Sequence, residues 1–164
     1  MRSLPPRLLL LLPLLGACAT AGSGDLGVRS APPGPERTGQ ELPSFVDLRN
    51  FTILGPGVAG AGQPQVEDFE VLAARGYTTV INLRKPSESV PPDEAQRAAA
   101  AGLGYHELPM RVVDFGIEEA GALQLILESA PDGSVLIHCA SGNRVGALWG
   151  MYLGLRGGLS PEQA

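Results

Sequence analysis

The sequence has few of the residues that build metal centres, disulfide frameworks and nucleic-acid surfaces. Its 164 residues include two cysteines and two histidines, and their spacing does not match the ligand clusters of zinc sites. Basic residues are outnumbered as well, because 12 Lys and Arg accompany 17 Asp and Glu, for a net charge of −5. Nucleic-acid binding usually requires the opposite balance. We therefore expect no metal, no cofactor and no nucleic-acid partner.

The apolar run near the amino terminus, Leu8 to Leu15, is too short to cross a membrane. A spanning helix needs about 20 predominantly apolar residues. Two arginines precede the run and small residues follow it, which is typical of a signal peptide. We predict that this signal peptide covers residues 1–17.

The tetrad Leu15-Gly16-Ala17-Cys18 resembles the bacterial lipoprotein box. The resemblance implies thioether lipidation of Cys18 and cleavage immediately before it. A soluble exported protein cleaved near Ala21 is the alternative. Lipidation would attach the protein to the membrane of the bacterial cell envelope, at the periplasmic face of the outer membrane if the source is Gram-negative. It would also leave Cys139 as a free thiol.

Beyond Cys18, the sequence predicts a tether and then one domain. Residues 18–43 are rich in glycine and proline and have almost no apolar periodicity, so we expect a disordered tether. In residues 44–164, short β-branched apolar runs alternate with helical patterns. This alternation predicts a single α/β domain with a mostly parallel central sheet flanked by helices. A further helix is expected to begin at Ser160, so this last helix would be truncated.

The apolar pattern also predicts the individual elements. Strands are expected at residues 45–48, 51–54, 78–83, 105–110 and 134–138. A glycine-rich turn is expected over residues 55–62. Helices are expected at residues 64–76, 92–101, 117–127 and 145–156.

Cys139 follows the last strand and precedes the last helix, in the segment His138-Cys139-Ala140-Ser141-Gly142-Asn143-Arg144. A cysteine pKa of about 8.5 falls at a helix amino terminus near a guanidinium, because both stabilise the thiolate. Gly142 can adopt the positive φ that a tight turn requires. The backbone N–H groups after the cysteine can then converge on an anion. The segment predicts a thiolate nucleophile in an anion-binding loop formed by Ala140, Ser141, Gly142, Asn143 and Arg144.

The charged residues of this segment have separate expected roles. A cation in the first turn of a helix opposes the helix dipole, so Arg144 needs a compensating anion. Its guanidinium fork can bind two phosphate oxygens at once. His138 ends a core strand, and we expect it to orient the loop through hydrogen bonds rather than to act as acid or base. The alternative for Cys139 is an ordinary buried cysteine.

His138-Cys139-x-x-Gly142 resembles the start of the protein-tyrosine and dual-specificity phosphatase signature. Together with Gly62-Gln63-Pro64 and the strand Val80 to Arg84, it resembles the bacterial phosphatase-like family that is also found fused to beta-lactamase-like hydrolases. The resemblance covers about residues 45–164 and implies a dual-specificity-phosphatase-like fold. It also implies that Cys139 is the nucleophile and that Arg144 binds phosphate.

Two features differ from the phosphatase signature. Four residues separate Cys139 from Arg144, one fewer than in the phosphatases, and this length is typical of many rhodanese-like sulfurtransferases. Val145 stands where phosphatases commonly carry a Ser or Thr that bonds the cysteine sulfur. The first feature favours sulfur transfer, and the second is expected to slow the turnover of a phosphocysteine.

Asp114 is the candidate general acid. It lies between the strand at residues 105–110 and the third helix, the region in which the related phosphatases place their acid. Its neighbours Val112, Val113 and Phe115 are expected to raise its pKa by desolvation. The alternative is a solvated turn residue.

Three functions remain open. The leading hypothesis is hydrolysis of a phosphorylated protein or a small phosphate ester through a phosphocysteine. The second is sulfur transfer from a sulfane-sulfur donor through a Cys139 persulfide. The third is a non-catalytic, anion-binding lipoprotein. Arg84 is expected either to lie at the edge of the sheet where ligands bind or, more simply, to form a salt bridge with a neighbouring acid. Arg111 is expected to be either a substrate-phosphate contact or a solvated loop charge.

Overall fold

The computed structural model describes residue 37 and residues 39–158 of the chain. The predicted signal peptide, the predicted lipidation site Cys18, most of the predicted tether and the helix expected from Ser160 lie outside these residues. Within the described part, no helix is both long enough and apolar enough to cross a membrane.

Five strands form one sheet in the described residues, in the order β1-β2-β5-β3-β4. The strands are β1 Thr52–Gly55, β2 Val58–Ala61, β3 Tyr77–Asn82, β4 Gly104–Glu107 and β5 Ser134–His138. β1 and β2 pair antiparallel, whereas the other neighbours in the sheet are parallel. The helices are α1 Asp68–Ala74, α2 Glu94–Ala100, α3 Ile117–Ser129 and α4 Asn143–Arg156, with a 3₁₀ turn at Val112–Asp114. The predicted single α/β domain with a mostly parallel sheet is confirmed.

Helices cover both faces of the sheet, so the domain has two cores. The core under α3 and α4 includes Val58, Ile81, Leu123, Leu127, Val135, Ile137, Val145 and Leu148. The core under α1 and α2 includes Ala59, Phe69, Leu72, Val80, Ala98 and Leu136. This arrangement explains why the parallel strands are apolar on both sides.

The alternation of side chains along β5 separates His138 from Cys139. Ile137 and Cys139 belong to the core under α3 and α4, whereas Leu136 belongs to the core under α1 and α2. The imidazole of His138 lies on the second side, where it contacts Glu94 of α2. Because successive residues of a strand face opposite sides, the candidate nucleophile and the adjacent histidine contact different pairs of helices.

The carboxyl ends of three parallel strands meet at one edge of the sheet. Ala61 of β2 and Asn82 of β3 both pair with His138 of β5. The segments after these strands therefore leave the sheet side by side, at the edge where open α/β sheets bind ligands. Gly62-Gln63, Leu83-Arg84 and the loop after Cys139 are brought together in this way.

The glycine-rich segment 55–62 is not the turn that the sequence predicts. Val58–Ala61 is a fully buried strand beside β5, and the turn is confined to the residues before it. The small residues have a packing role, because a Cβ at Gly60 would lie 2.7 Å from Cγ1 of Val145 in α4. Glycine at this position permits close contact between a helix and a strand, which composition alone cannot distinguish from a turn.

Three further boundaries differ from the sequence prediction. Residues 45–48 are irregular rather than a strand, although Val46 and Leu48 are buried. Helix α1 begins at Asp68 instead of Pro64, after a turn in which the Gln65 N–H donates to Asp68 Oδ2 at 2.6 Å. Helix α4 begins at Asn143 rather than at residue 145, so Arg144 lies within its first turn.

Candidate active site

The loop after β5 closes around the sulfur of Cys139. Cys139 is 1% exposed, and α4 begins only four residues later, at Asn143. Gly142 caps this helix in the left-handed region, at φ 89°, a conformation that other residues adopt at a cost. The Gly142 N–H donates to Cys139 Sγ at 3.1 Å. The local sequence of strand, cysteine, glycine and helix therefore directs backbone donors at the sulfur.

These backbone donors determine the direction in which the pKa of Cys139 moves. Burial alone raises the pKa of the thiol, because it penalises the charged form. Hydrogen bonds from the backbone N–H groups of Ser141, Arg144, Gly142 and Val145 lower it, and together they prevail. The pKa of Cys139 consequently lies below its usual value, as expected for a reactive thiolate at a helix amino terminus.

Two segments from other parts of the chain brace the loop. Asn50 has a positive φ of 52°, and its side-chain amide donates to the Ser141 carbonyl at 2.9 Å. Gly62 forms a bridge with Ser141, and the Gln63 N–H donates to the Ala140 carbonyl at 3.4 Å. The carbonyls of Ala140 and Ser141 are thus bonded to segments outside the loop, while N–H groups of the loop are directed at the sulfur.

The Arg144 guanidinium is held by three groups from outside the loop. Its Nη1 donates to Glu88 Oε1 at 2.6 Å and to the carbonyls of Leu83 and Met110 at 3.2 and 3.0 Å. Its Nη2 donates to Glu88 Oε2 at 2.6 Å. The Glu88 hydrogen bonds, followed by other contributions that include the charge of Cys139, raise the pKa of Arg144 above its usual value. Arg144 therefore lies between a carboxylate and the thiolate with a fixed orientation.

The same interaction acts on Glu88. The Arg144 hydrogen bonds outweigh the effect of burial and lower the pKa of Glu88 to about 2. Glu88 also accepts a hydrogen bond from the Lys85 N–H at 3.0 Å and from Arg84 Nε at 3.4 Å. At neutral pH it is a carboxylate that anchors Arg144.

Asp114 forms a surface ion pair in this structure. Its oxygens accept from Arg111 Nε at 3.0 Å and from Arg111 Nη2 at 2.7 Å, and Lys85 Nζ lies 3.9 Å from Oδ2. These contacts, led by the Arg111 side chain, lower the pKa of Asp114 to about 2. The expectation that apolar neighbours raise this pKa is wrong for this conformation, because Val113 points into solvent with 78% of its surface exposed.

The structure unites the predicted loop residues and adds partners that the sequence does not reveal. Cys139, Arg144 and the four residues between them form one loop around the sulfur, the candidate anion cradle, whereas the described contacts of Asp114 are with Arg111 and Lys85. Arg84 forms the salt bridge that was its simpler alternative, with Glu88. Arg111 is an exposed loop cation that pairs with Asp114, a partner that the sequence did not indicate.

Three residues of the site were missed by sequence reasoning: Asn50, Glu88 and Glu94. The position of Glu94 carries a signal, since this acid shares the buried face of α2 with Ala98, four residues later. No comparable signal marks the other two. In the part of the chain that the structure describes, no group of three His, Cys, Asp or Glu side chains is arranged to hold a metal ion.

The fold and the loop define the chain as an α/β domain of the cysteine-phosphatase type. It belongs to the family described as beta-lactamase hydrolase-like protein, phosphatase-like domain, which it matches over residues 47–155. A beta-lactamase hydrolase-like protein of Xylella fastidiosa (strain Temecula1) is 40% identical over 100 residues, or 57% of this chain. That match spans only 22% of the Xylella protein, so it concerns the phosphatase-like part.

Solved structures of the same fold include two candidate phosphatases. One, a DUF442 protein from Shewanella putrefaciens CN-32, is 26% identical, with a TM-score of 0.60, covering 65% of this chain and 71% of that chain. Another, from Neisseria meningitidis Z2491, is 27% identical, with a TM-score of 0.58, covering 63% of this chain and 76% of that chain. These likenesses support a phosphatase-family hydrolase.

Proposed function

We propose that the domain hydrolyses phosphate monoesters through a phosphocysteine formed on Cys139. One observation carries the proposal: the Cys139 sulfur lies within a ring of backbone N–H donors, and the anchored guanidinium of Arg144 is adjacent to it. A site that stabilises a thiolate in this way also matches the charge and size of a phosphoryl group.

In the first step, the thiolate attacks phosphorus in line with the ester bond. An S–P bond forms, the P–O bond to the leaving group breaks, and the leaving oxygen takes a proton. The loop N–H groups and Arg144 stabilise the equatorial oxygens, where negative charge accumulates. Water then attacks phosphorus, the S–P bond breaks, and the products are inorganic phosphate and the regenerated thiolate.

Asp114 remains our candidate for the proton donor. An acid must carry its proton at the working pH, and the ion pair with Arg111 favours the ionised form of Asp114. The role therefore requires Arg111 to leave Asp114 when substrate binds. A substrate phosphate that attracts the Arg111 guanidinium would produce this change, because loss of the cation raises the pKa of the carboxyl.

Sulfur transfer is the second candidate, favoured by the four-residue spacing between Cys139 and Arg144. In this reaction the thiolate attacks the sulfane sulfur of an anionic donor such as thiosulfate. A new S–S bond forms on Cys139, the S–S bond of thiosulfate breaks, and sulfite leaves with the electron pair of that bond. Asp114 has no required role, since sulfite needs no proton to depart. A non-catalytic anion-binding protein is the third candidate, favoured by Val145 at the position after the arginine.

One experiment distinguishes the three candidates. The purified protein is offered an aryl phosphate or thiosulfate, and turnover and the intact mass of acid-quenched protein are recorded. A phosphate adduct together with released phenol supports the phosphatase. A persulfide adduct with sulfite release, or anion binding without any adduct, would replace it with the corresponding alternative.

We also propose that the domain works in the bacterial cell envelope, attached through a lipid on Cys18. The proposal rests on the predicted signal peptide and on the Leu15-Gly16-Ala17-Cys18 tetrad. Its substrates would then be phosphorylated proteins or small phosphate esters in the cell envelope, on the side of the membrane to which the lipid attaches the domain.

A further inference from the structure

Glu94 is a buried acid outside the candidate anion cradle. Its contacts connect it to both ends of the cradle, Cys139 and Arg144. Glu94, the first residue of α2, is 2% exposed. Its Oε1 lies 2.9 Å from Nε2 of the fully buried His138, and its Oε2 accepts a hydrogen bond from Gln63 Nε2 at 3.1 Å. Glu is almost never fully buried unless it is paired, and the partner of Glu94 is the residue that precedes Cys139.

The first set of contacts leads to the sulfur. His138 is covalently followed by Cys139, and its imidazole lies on the opposite side of the sheet from the thiol. The Nε2 and Oε1 atoms lie close together in the protein interior, although they are not aligned as a hydrogen bond. The position of the Glu94 carboxylate thus restrains the end of β5 from which the loop departs.

The second set of contacts leads to the guanidinium. Gln63 Oε1 accepts a hydrogen bond from Arg84 Nη1 at 2.6 Å. Arg84 Nε lies 3.4 Å from Glu88 Oε2, and Glu88 in turn holds Arg144. A continuous series of polar contacts therefore runs from Glu94 to the phosphate-binding arginine.

The orientation of the Gln63 side chain makes a carboxylate necessary at position 94. The side-chain amide of Gln63 directs its N–H to Glu94 and its oxygen to Arg84, so Glu94 must supply an acceptor. The other oxygen of Glu94, Oε1, lies 2.9 Å from His138 Nε2, a place that suits an acceptor and not a second donor when this nitrogen carries the proton. An ionised carboxylate accepts at both oxygens, whereas an amide has one acceptor and one donor.

The other polar groups around Glu94 come from β4 and from α2 itself. Burial raises the pKa of Tyr105, and the charge of Glu94 and a hydrogen bond to it raise it further. Tyr105 is also held by Asn82 Nδ2 at 2.8 Å. On α2, Asp93 and Arg97 pair with each other at 2.9 Å on the exposed side. The polar groups that face the carboxylate of Glu94 are therefore those of Gln63, Tyr105 and His138.

We propose that Glu94 is a positioning residue that holds the Cys139 end and the Arg144 end of the cradle in register, through His138 and Gln63. Its effect on catalysis rests on the function proposed above, but its effect on the reactivity of Cys139 does not. Without this carboxylate the loop loosens, and fewer backbone N–H groups point at the sulfur.

The first test is alkylation of Cys139 by iodoacetamide as a function of pH, in the full chain, with the Cys139 peptide quantified by mass spectrometry. Only the thiolate reacts, so the inflection reports the pKa of this thiol. We expect Glu94→Gln to move the inflection upward and to slow alkylation at pH 6 by about tenfold, which corresponds to one pKa unit. A change of less than about twofold in a folded variant overturns the proposal.

The second test restores the pairing by exchanging the two side chains. In the double variant Glu94→Gln with Gln63→Glu, the new amide can donate to the new carboxylate, which can still accept from Arg84. We expect the inflection to return to within a few tenths of a unit of wild type. An inflection that stays shifted in the double variant overturns the proposal. The proposal is also overturned if the single variant is unfolded and the double variant does not restore folding.

The matched control is Asp93→Asn, which removes the adjacent, half-exposed acid of the same helix. It is expected to alkylate as wild type does, and a shift equal to that of Glu94→Gln would assign the effect to general charge and overturn the proposal. Aryl phosphate turnover is measured in parallel. If wild type is inactive while the alkylation shift and its rescue persist, the phosphatase function fails but the positioning role stands.

Discussion

The carboxylate of Glu88 contacts both terminal nitrogens of Arg144 at 2.6 Å, in a symmetric two-bond pair. Paired hydrogen bonds of this kind fix the plane of the guanidinium as well as its position. Arginine has five N–H donors. The Nη1 donors of Arg144 are taken by Glu88 and by the carbonyls of Leu83 and Met110, so the donors left to meet an anion beside Cys139 are Nε–H and the second Nη2–H. The acidic partner thus orients the cation without consuming its capacity to bind phosphate.

This pair predicts a specific acid sensitivity. The pKa of Glu88 is lowered to about 2 from an ordinary 4.5, so the pair stabilises the fold fully above the ordinary value and is lost as the pH falls toward 2. We expect the Tm of wild type to fall more steeply than that of Glu88→Gln across this window. Parallel slopes in a series of melting curves would contradict the ion pair.

The comparison needs a control, because Asp114 also has a pKa of about 2. Asp114 titrates both in wild type and in Glu88→Gln, so its contribution cancels in the difference between their Tm values. Glu67→Gln, at an exposed position, should follow wild type. At neutral pH, Glu88→Gln should lower kcat/KM by about 10- to 100-fold, the scale expected when a binding group is slightly misplaced.

Cys139→Ser is expected to abolish turnover while leaving anion binding largely intact. The hydroxyl is a far weaker nucleophile than the thiolate, but the loop N–H groups and Arg144 remain in place. Turnover of an aryl phosphate and calorimetric titration with inorganic phosphate measure the two properties separately. Residual activity equal to that of wild type would exclude the thiolate mechanism.

Asp114→Asn tests the proton donor. If Asp114 is the acid, the variant should hydrolyse esters with poor leaving groups about 10²–10⁴-fold more slowly. An aryl phosphate with a very acidic phenol should be affected far less, because its phenolate departs without help. The descending limb of the pH profile of kcat/KM should also disappear. Equal slowing of both ester classes would assign Asp114 to the surface ion pair with Arg111 alone.

Cys18→Ser tests the envelope attachment. We expect the variant to be exported but to lose both metabolic lipid labelling and partition with membranes, because the modified cysteine is the proposed anchor. Both proteins are compared in membrane and soluble fractions of the same cells. Wild-type protein that carries no lipid and is recovered in the soluble fraction would refute the lipoprotein interpretation.

Much of the site was predictable from sequence because it is contiguous. The strand, Cys139, Gly142 and the helix that carries Arg144 follow one another within a few residues, and their geometry depends on local backbone preferences. The strand at residues 134–138 was predicted with its observed bounds for the same reason. The buried strand β2 was not, since its glycine is explained by the approach of Val145 from a distant helix.

The sequence by itself determined the mostly parallel sheet and the order of strand, Cys139, Gly142 and helix that forms the candidate loop. Only the tertiary structure decided which groups hold them: Glu88 lies 56 residues from Arg144, and Asn50 lies 91 residues from Ser141. It also decided the ionisation of Asp114, because an exposed Val113 and an adjacent Arg111 replace the desolvation that the apolar neighbours suggested. Local propensity directs the chain around Cys139, whereas burial and charge pairing arise only when distant segments pack together.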